Sequence, residues 1–302
     1  MDHKTFLQTL DQTAKARLIA RADGPGLWHL AGHGGMILLL GVLIAARVPF
    51  WWLLLLPQGI LLVFLFTLQH ECTHKTPFAS DRLNEWVGWL TGVILFQPFL
   101  WFRYFHFAHH RHTNDPDLDP ELSAAKPNTW PGFLRHLSTV DYWAGKATLL
   151  AQTATGRIDA PYLPPNTHAR LRRETWGMLI LYLAALVFSL TISPILLFVW
   201  ILPVLLGFPF LRLYLLAEHG RCPYVADMFV NTRTTYTNRI VHFLAWNMPY
   251  HAEHHCFPQV PYHRLPDMHG MVQKHLRSTS DGYAEFTTDY MRGFAHSGTV
   301  EK

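Results

Sequence analysis

Three short segments of this 302-residue chain hold residue types and spacings that can do chemistry. The first is His70-Glu71-Cys72-Thr73-His74. The second is His106-Phe107-Ala108-His109-His110, and the third is His251-Ala252-Glu253-His254-His255. On a helix, positions three and four apart share a face, so each segment presents two or three imidazoles together. Neutral imidazole is a ligand for zinc, copper, iron and nickel. Eight imidazoles exceed the roughly four ligands of a tetrahedral zinc, so two five- or six-coordinate metals account for them better.

His219 has no cluster partner, but it ends the last apolar run at the depth where His74 and His106 emerge. That depth makes it a further candidate ligand. His112 points off the face of the second segment, and His242 falls opposite His251 on a continued helix. Together with His29, His33, His263, His269 and His275 these are read as structural or solvated. Metal-bound imidazole usually donates its other N–H to a carboxylate or carbonyl. Glu71, Glu218, Glu253 and Asn247 are placed for that role, as are Asp115, Asp117 and Asp119, although the aspartates also suit a turn. Cys72 and Cys256 lie beside the clusters, but the histidines already fill two metals, so neither thiol is expected to be essential.

The elements that must position these residues are apolar and long. From Gly24 to Gln69 the only formal charge is Arg47, and from Thr175 to Leu211 there is none. Two spans fit the first run, 28–46 and 51–69, and two more fit the second, turning near Thr191–Pro194. Each approaches the roughly 20 residues that cross a bilayer. Trp86–Phe102 is shorter and interrupted by glycines and Pro98, and reads as one half-buried or re-entrant helix. Residues 5–22 read as an amphipathic helix stopped by Gly24-Pro25-Gly26. Of 25 Lys and Arg, only Arg47 falls in a proposed turn, which places both termini in the cytoplasm by the positive-inside rule.

The expected architecture is an all-α membrane protein of a single domain. An N-terminal segment (1–27) precedes a first transmembrane hairpin (28–69), and a cytoplasmic region with two histidine boxes follows (70–174). A second hairpin (175–216) leads to a cytoplasmic region with the third box and the tail (217–302). Four transmembrane helices thus support a cytoplasmic helical cap that holds a dimetal centre.

Composition agrees. Half the residues are apolar and only 15% are charged, against roughly 25% in a typical globular domain. Mean hydropathy is +0.09. Disorder is excluded by the apolar content, and a disulfide scaffold by the three scattered cysteines. The net charge of +4 fits a membrane surface better than nucleic acid. No P-loop or Gly-rich dinucleotide fingerprint is visible, so reducing equivalents are expected from a separate donor.

Taken together, HECTH, the run Trp101-Phe102-Arg103-Tyr104-Phe105 into HFAHHRHTNDPD, and Asn247-Met248-Pro249-Tyr250 into HAEHHCFPQVPYHRLP resemble the integral-membrane fatty acid desaturases over nearly the whole chain. The resemblance implies two irons held by His70, His74, His106, His109, His110, His251, His254 and His255. The family's additional ligand falls on His219. It also implies an O2-dependent reaction on a lipid-like acyl substrate, with electrons from a ferredoxin, rubredoxin or cytochrome b5 type donor. No fused cytochrome b5 module is expected, and the compact form points to a bacterial inner membrane. The apolar tunnel is expected to be walled by Trp86, Trp89, Phe96, Phe99 and Trp101.

Related branches hydroxylate or ketolate lipids, alkanes and carotenoids with the same boxes, and they stand as the alternative. A membrane zinc hydrolase and a metal transporter are remoter. The first is set aside by reading HECTH as HxxxH rather than HExxH, without the zinc-peptidase geometry of two ligands and a Glu base, and the second places ligands near the bilayer midplane rather than at span ends.

Overall fold

The computed structural model describes residues 1–294. Fifteen α-helices account for nearly all regular structure among them. In order they are α1 (His3–Thr9), α2 (Gln12–Leu18), α3 (Asp23–Ala45), α4 (Leu55–His74), α5 (Asp81–Ile94), α6 (Phe99–His112), α7 (Trp130–Ser138) and α8 (Val140–Thr155). There follow α9 (His168–Thr191), α10 (Leu202–His219), α11 (Met228–Asn231), α12 (Arg239–Leu244), α13 (His251–Cys256), α14 (Leu265–Val272) and α15 (Tyr283–Arg292). Two short strands, β1 (Thr234–Thr235) and β2 (Thr279–Ser280), pair in parallel.

Four helices are long and apolar enough to cross a membrane, within Gln12–Ala45, Trp51–His74, Pro165–Thr191 and Leu197–His219. They divide into two kinds. The α4 and α10 helices lie at the centre and pack along each other, with Leu62, Leu65, Leu68, Val204, Phe208 and Leu211 buried in one core. The α3 and α9 helices lie outside and expose Leu38, Val42, Ile180 and Leu183. Aliphatic side chains facing outward along whole helices have no aqueous rationale, whereas lipid solvates them.

Glycine sets the α4–α10 spacing. A Cβ on Gly59 would overlap the Pro203 carbonyl, and one on Gly207 would overlap the Gly59 carbonyl. The two backbones therefore touch, as small residues allow at helix crossings.

Several boundaries differ from the sequence reading. The N-terminal segment is two helices, because Asp11 caps a new one by accepting from the Ala14 N–H at 2.7 Å. Gly24-Pro25-Gly26 does not stop a helix. It lies in the first turn of α3, where the missing proline N–H costs no helix bond. Trp86–Phe102 is not one helix either. It breaks at Leu95–Pro98, where Phe96 takes a positive φ of 58°, and α6 then runs straight through the second histidine box. His33 is fully buried: its Nε2 meets the Leu61 carbonyl at 2.9 Å and its Nδ1 accepts from the Trp246 indole at 3.2 Å. Residues 295–302, the end of the expected tail, lie outside the described residues.

Gly59→Val should force α4 from α10 and destabilise the chain by about 1–3 kcal/mol or more. Gly145→Ala sits in α8 with nothing within 4 Å and should stabilise by roughly 0.5–1 kcal/mol. Thermal unfolding in detergent micelles checks both, and an unshifted midpoint for Gly59→Val would contradict the close crossing.

Candidate metal centre

Four helix ends deliver the histidines. The last turn of α4 carries His70 and His74, and α10 terminates at His219. The second half of α6 carries His106, His109 and His110, and the single-turn-and-a-half α13 carries His251, His254 and His255. His70, His74, His106, His110 and His254 each place a ring nitrogen within 4.8 Å of the others. His109, His219 and His255 form a second such group within the same limit. His251 adjoins it, its Nε2 lying 3.1 Å from that of His219. All nine predicted imidazoles are thus brought together, in two adjacent groups.

The nitrogen facing away from the group is hydrogen-bonded in His109, His219 and His255, whereas Nδ1 of His110, His251 and His254 has no hydrogen-bond partner. Asp119 accepts from His109 Nδ1 at 2.9 and 3.0 Å. The Asn231 carbonyl accepts from His219 Nδ1 at 3.2 Å, and the Thr113 hydroxyl meets His255 Nδ1 at 3.1 Å. Glu71 Oε1 lies 3.6 Å from His254 Nδ1 and 3.9 Å from His70 Nδ1. Glu218 Oε1 lies 3.5 Å from His251 Nδ1.

These partners assign the proton to Nδ1 and leave Nε2 as a lone pair. The consequence is plain for His109 and His219. Both Nδ1 atoms have acceptors, yet their Nε2 atoms are 3.2 Å apart. Two lone pairs at that distance repel unless a second proton on His109 or a metal ion sits between them. Buried nitrogens without a hydrogen-bond partner add to this: both of His70 and Nε2 of His255. The residues present therefore fit a pair of imidazole-preferring metal ions.

Electrostatics agrees. Burial pushes His106, His110, His251, His254 and His255 far below the usual imidazole range. They are neutral, the state in which imidazole ligates. His109 is the exception. Burial pulls it down, but the Glu121 and Asp119 carboxylates outweigh that and raise it. Asp119 stays below the usual carboxylate range, since hydrogen bonds from His109 and from the Glu121 and Asn114 amides outweigh its burial.

The expected supporting residues divide. Glu71 and Glu218 touch histidine rings. Asp115 and Asp117 do not: Asp115 accepts from the Asp117 and Leu118 amides, closing the turn, and Asp117 is exposed. Glu253 is turned away, to His269 Nδ1 and the Thr234 hydroxyl. Asn247 donates to the Tyr262 carbonyl at 3.0 Å and holds a loop instead. The residues missed were Thr113 and Asn231. Thr113 stands three residues past His110, where a hydroxyl could have been suspected. Asn231 contributes a backbone carbonyl, which no side-chain pattern signals. Cys72 and Cys256 are buried in the apolar core, and neither joins a histidine group.

Glu71 bears on the zinc-hydrolase alternative. His70-Glu71-x-x-His74 has the residue order of zinc peptidases, so spacing alone does not set that reading aside. Placement does. The Glu71 carboxylate lies on the Nδ1 side of His70 and His254, and Oε2 accepts from the Thr76 hydroxyl at 2.8 Å and the Tyr262 amide at 3.0 Å. It does not face the converging Nε2 atoms, where a general base would act.

A cavity of about 260 Å³ opens onto both groups, with His70, His106, His109 and His251 in its wall. Of the expected aromatic wall only Trp101 lines it, with Phe66, Phe102, Phe105 and Tyr142. Trp86 faces outward, Phe99 is buried beneath Gly88, and Phe96 lines a separate apolar cavity.

Residues 46–287 match the fatty acid desaturase family model. An sn-1 acyl-lipid omega-3 desaturase (ferredoxin) of Synechocystis is 35% identical over 71 residues, 24% of this chain and 19% of the relative. A sphingolipid delta(4)-desaturase of Drosophila melanogaster is 23% identical over 281 residues, 87% of this chain and 83% of the relative. A zeaxanthin 4-ketolase of Chlamydomonas reinhardtii is 26% identical over 214 residues, 67% and 40% of the two chains. The first of these matches therefore spans only about a fifth of that relative's length.

Removing the acceptor behind a metal-bound imidazole typically costs about 10–100-fold in metal affinity or activity. Asp119→Asn should show that loss, with Cys72→Ser and Cys256→Ser keeping the parent's metal content. Elemental analysis of the purified chains measures it, and full metal retention in Asp119→Asn would contradict the role given to His109.

Proposed function

The chain belongs to the fatty acid desaturase family, and on that footing we propose that it oxidises an unactivated C–H bond of a lipid-like substrate at the nine-histidine centre, introducing a double bond into an acyl chain. The observation that carries this is the convergence of nine imidazoles from four helices into two adjacent groups at one level. In this reading His70, His74, His106, His110 and His254 hold one iron, and His109, His219, His251 and His255 hold the other. When bound, the two irons supply the O2-dependent oxidation, with electrons from a separate donor of ferredoxin, rubredoxin or cytochrome b5 type.

The chain's own residues do the rest. Asp119, Thr113, Asn231, Glu71 and Glu218 orient the imidazoles so that their Nε2 atoms converge before any ion arrives. Phe66, Phe102 and Phe105 give the cavity apolar walls beside the histidines. Such walls keep water from the reacting carbon and hold it within reach, and positioning decides which hydrogens are removed. The histidine clusters sit where α4 and α10 end. With the Lys/Arg distribution, this supports a centre in a cytoplasmic cap beneath two transmembrane hairpins, and cytoplasmic termini.

A second reading is ketolation or hydroxylation. It is favoured by the likeness to the carotenoid ketolase over two-thirds of this chain, and it uses the same centre.

His219→Ala should lose iron as severely as His110→Ala, because each removes a nitrogen from a converged group. His112→Ala, outside both groups, should keep two irons per chain. Iron per purified chain and the lipid profile of an expressing host test both halves of the proposal. Two irons and normal turnover in His219→Ala would remove it from the centre, and an unchanged lipid profile with full iron would refute acyl oxidation.

A further inference from the structure

The cavity beside the histidines is not apolar throughout: Glu121, Glu218 and three cations line it, Lys126 beside the Glu121 and Asp119 carboxylates and Arg212 and Lys146 apart from them. Its carboxylates, Glu121 and Glu218, lie at the metal end, near His109 and His251 respectively. Away from the histidine groups the same cavity is lined by Arg212 and Lys146. Neither cation forms an ion pair within 4.0 Å among the described residues. The Lys146 ammonium is buried, donates to the Gln97 side-chain oxygen, and lies over the Tyr142 ring at 4.9 Å and the Trp101 ring at 5.4 Å. One Arg212 nitrogen donates to His136 Nδ1 at 2.8 Å, while its buried Nε has no partner. His136, neutral because burial and Arg212 push it down to about 4, offers no compensating charge.

Two unpaired cations in one partly dry cavity are costly to bury unless something anionic enters. Nothing in a plain hydrocarbon tunnel needs them. Arg212 lies seven residues before His219 on α10. That interval is two helical turns, so both residues share a face, with about 10 Å of rise between them.

We propose that Arg212 and Lys146 form a carboxylate-binding subsite, and that the substrate carries its carboxylate about 10 Å from the carbon presented to the histidines. The separation is that of a medium-length acyl segment. The guanidinium offers the fork that matches a carboxylate, and Lys146 adds a point charge. Burial pushes Lys146 down to about 7, so a bound carboxylate would also keep it charged. The inference deepens the acyl-oxidation reading by naming the polar group of the substrate.

The test uses the full chain in phosphatidylcholine nanodiscs, with octanoate, methyl octanoate and octylamine titrated by calorimetry. Hydrogen bonds to charged groups make about a tenfold or greater preference for octanoate over its methyl ester the expected result, with octylamine weakest. Arg212→Gln and Lys146→Gln should each bring that ratio toward one while iron content holds. Equal binding of acid and ester by the parent chain would overturn the proposal, even if neither variant folds. So would a variant with intact iron and an undiminished preference. Lipid oxidation is measured in parallel. An iron-loaded chain that prefers octanoate but oxidises no lipid leaves the subsite standing and removes the proposed reaction. Oxidation without the preference does the reverse.

Discussion

The structure depends on one unfavourable contact: imidazole lone pairs pressed together in a buried space. His74 and His106 bring their Nε2 atoms to 2.8 Å, and His110 and His254 bring theirs to 3.2 Å. In a protein without a cation there, at least one nitrogen of each pair would have to carry a proton. Where the Nδ1 proton is already committed, that means an imidazolium buried among other imidazoles. Burial and the neighbouring rings both oppose this, which is why these groups are held neutral. A metal ion removes the conflict. Metal binding would then add to the stability of a geometry that the helices already impose.

That constraint explains the arrangement of the helices. Histidines from four segments far apart in sequence must end at one level, and only α4 and α10 are long enough to fix that level from within the apolar layer. Gly59 and Gly207 bring the two backbones into contact, which fixes the separation between His70 at one helix end and His219 at the other. The outer helices α3 and α9 supply apolar surface and no ligand. The short helices α6 and α13 then close over the ends of α4 and α10, each contributing three imidazoles from consecutive turns.

Much of this was legible in the sequence, for definite reasons. The eight box histidines were found because spacing of three and four on a helix is a geometric statement. That His219 stands beside them was suggested weakly by depth, at the end of an uncharged run, and more strongly by the family resemblance. What failed were inferences from proximity in sequence. Glu253 stands between ligands but points at His269, because on a helix adjacent residues lie about 100° apart. Asp115 and Asp117 precede the correct residue, Asp119, but a tight turn consumes the first and exposes the second. The Trp86–Phe102 segment was read as one helix because hydropathy cannot see a break. Phe96 in the left-handed region and Pro98 make that break, and it redirects α6 so that its histidines face inward. The supporting carbonyl of Asn231 has no side-chain signature, so no reading of residue types could have located it.

The α10 helix joins these levels. Gly207 serves packing, His219 serves the centre, and Arg212 lies between them on the face that His219 shares. Seven residues at roughly 100° each return to within about 20° of the same direction. Leu215 and Leu216 fall in that interval and line the same cavity, so the stretch between Arg212 and Glu218 presents an apolar wall. Pro209 interrupts the hydrogen bonds of α10, but from Arg212 to His219 no proline intervenes and the register is kept. The distance between Arg212 and the centre is thus a ruler built from backbone geometry. The mobile part is the guanidinium, and His136 restrains it by accepting one of its protons. The placing of Arg212 about two turns from Glu218 and His219 follows from the register of α10.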